Sequence, residues 1–406
     1  MISNFTKLSK ALFACVLLLA LHSNVNAQEW EKLGNTNFTA NHGIGFAIDG
    51  YGYILTGGNS ATYNTNFHSQ DFHRYDPITD TWESLPYDGI SRGYGIGAAY
   101  EGKAYFGFGI GDGFSNLLND LWEYDPVTEE FTELPSCPCV PRTHPAFAIM
   151  NNKIYVGMGG NNGNLGDWWE YDIATQVWTE KTGMPGNRHH PYMFVIGEDI
   201  YVGSGHRTTW FKYDVDSDTW TQIADLDDRV AGTQFAYEGK GYALSGTDTN
   251  HDNLSEGEFW QYIPENDSWL QLESHPGVSR WAPASFIIDN FVYMATGWTT
   301  QATASQEVEV YRYELGEAPV SIGDLDLTEK APFEIYGNPA IDFIKLNFNI
   351  DIEEFSDVII YDTNGQLVYE SKTAQTEINV SEYASGSYWI QATVKGYNVK
   401  KGFVKM

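Results

Sequence analysis

Tyr75-Asp76-Pro77-Ile78-Thr79-Asp80-Thr81-Trp82 sets two aromatic residues seven positions apart, and the chain repeats that arrangement. The same spacing joins Tyr124 to Phe131, Tyr171 to Trp178, Tyr213 to Trp220 and Tyr262 to Trp269. Self-similarity at a period of tens of residues means that one small unit is stacked many times, so it decides the architecture before any other feature. Upstream of each unit an aromatic residue is followed four positions later by glycine: Tyr53/Gly57, Tyr105/Gly109, Tyr155/Gly159, Tyr201/Gly205, Tyr242/Gly246 and Tyr293/Gly297. That pattern occurs six times, not five. The sixth copy ends at Tyr311-Arg312-Tyr313-Glu314-Leu315 without a tryptophan, whereas Glu29-Trp30-Glu31-Lys32-Leu33 stands near the start with no repeat of its own. An N-terminal strand that completes the last sheet leaves no unpaired edge.

Each repeat reads as four strands: a small-residue strand such as His42 to Ile48, a second from Tyr53 to Gly58, a third ending in Tyr-Asp, and the tryptophan strand. Asp49-Gly50, Asn151-Asn152 and Glu238-Gly239 supply tight hairpin turns between the first two. These residues resemble the Kelch repeat over residues 28–315, with departures at Gly203-Ser204-Gly205, Ser245-Gly246 and Thr296-Gly297 and with Phe131 for one tryptophan. The resemblance implies an all-β, six-bladed Kelch-type β-propeller with N-terminal strand closure, its repeated aromatics packing between blades.

The flanks differ from the repeats. Residues 1–27 carry Lys7 and Lys10, an apolar run from Ala11 to Leu21, and Val25-Asn26-Ala27, the pattern of a cleaved signal peptide. No later stretch is long and apolar enough for a transmembrane span. Residues 316–332 read as a linker, and 333–406 as a small β-sandwich with about seven short strands. The order of Ile335-Tyr336-Gly337-Asn338-Pro339, Ile360-Tyr361-Asp362-Thr363-Asn364-Gly365-Gln366, Gly386-Ser387-Tyr388 and the basic Lys400 to Lys405 strand resembles the type A sorting domain of type IX secretion. Gly337 stands where that family usually has proline. The resemblance implies handling by the type IX machinery, passage through the periplasm, and release or display at the outer surface.

A formal net charge of −31 argues against nucleic-acid and anionic-membrane partners and for solubility through self-repulsion. Outside the leader only Cys137 and Cys139 remain, an oxidised pair or two thiols, with no second pair to build a closed zinc site.

The interval from second-strand to third-strand tyrosine varies from 12 residues (Tyr201 to Tyr213) to 22 (Tyr53 to Tyr75), so length variation gathers on one face. On that face an arginine precedes the second-strand tyrosine by thirteen positions in five repeats: Arg92, Arg142, Arg188, Arg229 and Arg280, with Ala40 in the first. Two residues later stand His42, Tyr94, His144, His190, Ala231 and Ala282. Guanidinium forks suit carboxylate or sulfate oxygens, so these arginines with His42, Tyr94, His144 and His190 form the expected ligand site for an acidic glycan, sugar acid or protein segment. The rival use of the arginines is pairing with an acidic residue or carbonyl of the next repeat.

Three imidazoles on three repeats converge on a metal only if the mouth is narrow, and no metal, cofactor or catalytic residue is assigned. Asp248-x-Asn250-x-Asp252 resembles the start of a calcium loop, but Asn253 replaces the turning glycine and Phe259 the bidentate glutamate. No cysteine lies on the axis strands, which disfavours the tyrosine–cysteine copper oxidases built on a Kelch propeller. Trp168, Trp210, Trp281 and Trp298 are placed near loops, where stacking on sugars competes with core packing. A sugar-acid enzyme of the sialic-acid mutarotase kind and a structural adhesion module are the alternatives to a binding protein; the enzyme requires an acid/base group beside the arginines.

Overall fold

The computed structural model describes residues 29–58, 68–112, 116–299, 305–316, 333–336, 340–348, 355–362, 366–373, 375–394 and 397–406. The leader over 1–27 and the linker over 316–332, Gly316 apart, lie outside the described residues, as do Gly337-Asn338-Pro339 and Asn364-Gly365. Every regular element among the described residues is a strand. They form two compact units that divide between Gly316 and Glu317.

Among the described residues six antiparallel four-stranded sheets and a short ribbon of Trp298–Thr299 with Ser305–Gln306 make up the first unit. In the first sheet Ile44–Ile48, Tyr51–Leu55, Phe72–Asp76 and Thr81–Ser84 pair in chain order. Asp49 and Gly50 both take positive φ (51° and 79°), the backbone that a two-residue hairpin between right-twisted strands requires. Across the outer hairpin Tyr75 lies opposite Trp82, as Tyr171 lies opposite Trp178, so the seven-residue spacing is the register of one antiparallel pair.

The innermost strands, Ile44–Ile48, Ile96–Tyr100, Ala146–Met150, Pro191–Ile196, Thr233–Tyr237 and Ala284–Ile288, each lie beside the next, and the last beside the first. They approach so closely that a Cβ on Gly45 would stand 2.4 Å from the Ser285 carbonyl oxygen. A cycle of backbone hydrogen bonds follows the same order. Gly57, Gly109, Gly159, Gly205 and Gly246 donate N–H to the carbonyls of Arg92, Arg142, Arg188, Arg229 and Arg280 at 2.8–3.0 Å, and Gly297 donates to Ala40 at 2.8 Å. All six glycines have φ between 68° and 111°. At Gly109 a Cβ would meet the Gly93 oxygen at 2.4 Å, which is why this position of the repeat keeps its glycine.

The sixth sheet orders Ala284–Ile288, Phe291–Ala295, Tyr311–Glu314 and then the N-terminal Glu31–Lys32, with Glu31 opposite Arg312 and Lys32 opposite Tyr311. Trp30 Nε1 donates to the Glu273 carbonyl of the preceding sheet at 2.8 Å. Trp178, Trp220 and Trp269 do the same toward Pro135, Thr182 and Ala224 at 2.7–3.0 Å, so Trp30 fills the place of the missing sixth tryptophan.

Cys137 and Cys139 form a disulfide, settling the alternative that the sequence left open. In the second unit Phe333–Tyr336, Phe343–Phe348 and Glu377–Asn379 make one sheet, and Leu367–Ser371, Phe355–Asp362, Gly386–Val394 and Tyr397–Lys405 the other. Its core gathers Ile344, Leu346, Val358, Ile360, Ile378 and Ile390. Along Gly386–Val394, Tyr388, Ile390 and Ala392 are buried while Trp389 between them is 53% exposed, the alternation of a strand with one covered face.

One buried histidine gives the first unit an acid limit. His275 is 1% exposed, its Nδ1–H donating to Pro276 O at 3.0 Å and its Nε2 lying 3.0 Å from Ser245 Oγ. Burial, with the Arg280 guanidinium adding, pushes its pKa down to about 3. The unfolded chain binds this proton near pH 6.5 and the folded chain does not, so the stability His275 confers is complete above about 6.5 and drains as pH falls, by up to about 1.4 kcal/mol per unit. His275→Gln is therefore expected to show a shallower fall in melting temperature between pH 6 and pH 4 than the parent; parallel profiles would refute this.

Candidate functional site

The five repeated arginines are 0–2% exposed. Arg92 grips both oxygens of Asp120 at 2.9 and 2.6 Å, and Arg142 both oxygens of Asp167 at 2.6 Å. Arg229 pairs with Glu258 at 2.7 Å, while Arg280 donates to the Glu309 carbonyl at 2.8 Å with its carboxylate 3.8 Å away. Arg188 meets Thr209 in that place, and burial with the nearby Arg207 lowers its pKa to about 10.

Four of them also hold a strained backbone. Phe108, Met158, Ser204 and Thr296, each at φ 54–60°, present carbonyls that accept from Arg92, Arg142, Arg188 and Arg280. A left-handed non-glycine residue persists only where its surroundings over-determine it, and the arginine fork does so here. Contrary to the sequence expectation, these guanidiniums are turned into the sheets and hold the fold's own oxygens. The partners went unseen because they stand 25–29 residues downstream, across the loops of variable length. Their signal was present: an acidic residue four positions before the third-strand tyrosine at Asp71, Asp120, Asp167, Glu258 and Glu309.

The other expected ring does converge. His42, Tyr94, His144, His190, Ala231 and Ala282 all have φ of 49–58°, which turns six equivalent side chains toward one centre. His42 N–H donates to Ala282 O at 3.0 Å and His144 N–H to Tyr94 O at 3.1 Å. The His42 ring lies 4.6 Å from Tyr94, 5.0 Å from His144, 5.5 Å from His190 and 4.3 Å from Trp281 between centroids. Burial depresses the pKa of His42, His144 and His190 well below the ordinary imidazole value, and neighbouring imidazoles depress it further. All three are neutral at physiological pH. Beneath them a cavity of about 140 Å³ runs between glycine-rich inner strands, including Gly45 and Gly97.

Two more imidazoles join this mouth from the loops after the second strands: His206, 4.5 Å from His189, and His251, 5.9 Å from His190. The sequence placed those loops on the same face, but their lengths hid the convergence. Asp248 turns its Oδ1 onto the N–H groups of Asn250 and Asp252 at 2.8 and 2.9 Å, closing its own loop. Trp168 and Trp210 are fully buried at the start of third strands and Trp281 is 2% exposed. Trp168 and Trp210 are packing residues, because the first position of the third strand points between sheets, whereas Trp281 packs against His42 at the mouth.

Residues 334–406 match the secretion system C-terminal sorting domain. The sorting domain marks a protein exported by type IX secretion to the cell surface or the extracellular space, and implies contact with that machinery. No curated protein matches the chain. Among the described residues no helix is long and apolar enough to cross a membrane.

Proposed function

We propose that residues 28–315 are a six-bladed Kelch propeller, made with a signal peptide over 1–27 and displayed outside the cell as a binding module. Its ligand, a glycan or protein segment, lies across the mouth at His42, Tyr94, His144 and His190. The observation that carries this reading is the set of six left-handed residues aimed at one centre, since φ near +50° is costly for non-glycine residues and is repeated in all six sheets. With the arginines engaged inside the fold, the mouth is neutral and aromatic. The cavity of about 140 Å³ is well below the roughly 300 Å³ at which small-molecule pockets begin, so a large ligand rests on the mouth and does not enter the channel.

The test has two parts. Deleting residues 334–406 is expected to hold the chain inside the cell, and secretion that persists would remove the export half of the reading. A panel of glycans, sugar acids and envelope protein fragments is then titrated against the purified protein, with Tyr94→Ala as control. Binding lost in that variant and unaccompanied by turnover supports the reading; turnover of a sugar acid, or binding indifferent to Tyr94, overturns it.

A further inference from the structure

We infer that His42, His144 and His190 form a tris-imidazole site for one divalent transition-metal ion at the centre of the mouth. One ring nitrogen from each residue lies within 4.8 Å of the others, although the three stand on three different sheets. The sequence made convergence conditional on a narrow mouth, and that condition is met.

The atomic arrangement favours a metal over a hydrogen-bonded cluster. His42 Nδ1 lies 3.0 Å from Asn41 Oδ1, and a carboxamide oxygen only accepts, so Nδ1 carries the proton and Nε2 offers a lone pair. Asn41 is fully buried, the kind of outer-shell partner that fixes the tautomer of a metal-bound histidine. That Nε2 stands 3.3 Å from Nε2 of His190. Metal–nitrogen bonds of about 2.0–2.1 Å in a tetrahedron place two ligand atoms about 3.3 Å apart, so this pair already spans one edge. Among the described residues neither ring nitrogen of His144 has a hydrogen-bond partner, nor has His190 Nδ1. Buried polar atoms are rarely left so.

Three neutral imidazoles with no thiolate or carboxylate select zinc, copper or nickel over calcium or magnesium, and three protein ligands leave a fourth position open. His189, His190 and His206 form a second close trio that shares His190. The first trio is the better site because its members occupy the equivalent inner-ring positions and share the 3.3 Å edge. The inference is independent of whether a larger ligand lies across the mouth, and it is tested without one.

The purified full chain, stripped with chelator, is titrated with Zn²⁺ and separately with Co²⁺. One equivalent of zinc is expected, with a cobalt complex showing the intense visible bands of tetrahedral coordination. His144→Ala and His42→Ala are each expected to weaken binding at least 10-fold, while His206→Ala leaves it unchanged. Substoichiometric zinc with no cobalt bands overturns the site, as does binding lost in His206→Ala but kept in His144→Ala. Should the alanine variants unfold, the cobalt spectrum of the parent decides: tetrahedral bands sustain the site and octahedral weakness refutes it.

Discussion

Removing residues 29–34 while keeping the leader is expected to cost the first unit its cooperative unfolding and to drive it into oligomers. The segment contributes three kinds of contact. Glu31 and Lys32 cover the edge of Tyr311–Glu314, which would otherwise offer a bare ladder to another chain. Trp30 packs 5.5 Å from Phe259 and 5.2 Å from Tyr313 while hydrogen-bonding Glu273. Gly34 N–H donates at 2.8 Å to Asp80, whose other oxygen accepts from the Tyr75 hydroxyl at 2.8 Å. Asp218 and Asp267 make the same clasp elsewhere, each with a single oxygen that accepts from a tyrosine hydroxyl and from the N–H of Thr182 or Ala224. The outer part of the seam between the sixth and first sheets is therefore built like those of interior seams, and a chain without residues 29–34 keeps only the contacts of its inner strands. Trp30→Ala alone is expected to cost about 3 kcal/mol, a drop of roughly 6–12 °C in melting temperature. Trp389→Ala, on the exposed face of the second unit, should leave the first unit's transition in place. A truncated chain that melts where the parent does and stays monomeric would show that the closure carries no stability.

What the sequence made legible was whatever depends on spacing within a sheet. The seven-residue interval from Tyr75 to Trp82 is a strand register, and the glycine four residues after Tyr53 sits at a backbone position that tolerates no Cβ. Trp30 could be matched to the unfinished repeat because it carries the Trp-x-x-Leu ending that follows Trp82 and Trp269. The inner ring was legible for the same reason, since His42, Tyr94, His144 and His190 hold one fixed offset from the second strand. Contacts made across loops of unequal length were not legible. Arg142 meets Asp167, and His206 and His251 reach the mouth, by geometry that no constant interval encodes. The choice between stacking and core packing for Trp168 and Trp210 was hidden at the same boundary: both begin third strands instead of ending loops.

The arginine whose loss should matter most is Arg142. Its side chain is fully buried, with both Nη groups on Asp167 and one also on the carbonyl of left-handed Met158, while Nε donates to Val140 O at 2.8 Å. Arg142→Ala strands a carboxylate and a strained carbonyl together. Breaking a buried pair by removing one partner costs about 3–5 kcal/mol, and because Asp167 keeps 28% exposure the lower end, about 3 kcal/mol, is expected. Asp167 supplies an internal check. Arg142 and the Trp169 indole N–H hold its pKa below the usual carboxylate value, so in the parent the pair's stability is present above about pH 4 and is lost as pH falls through the depressed pKa. In Arg142→Ala that acid sensitivity should shrink, since the stranded carboxylate gains from protonation. Arg142→Met combined with Asp167→Leu removes both charges and is expected to recover part of the loss, because the desolvation cost of the unpaired carboxylate disappears with it. If the double variant is as unstable as Arg142→Ala, the main role of Arg142 is to hold the Met158 carbonyl. If both variants melt like the parent while a ligand's affinity falls, the guanidinium serves recognition after all.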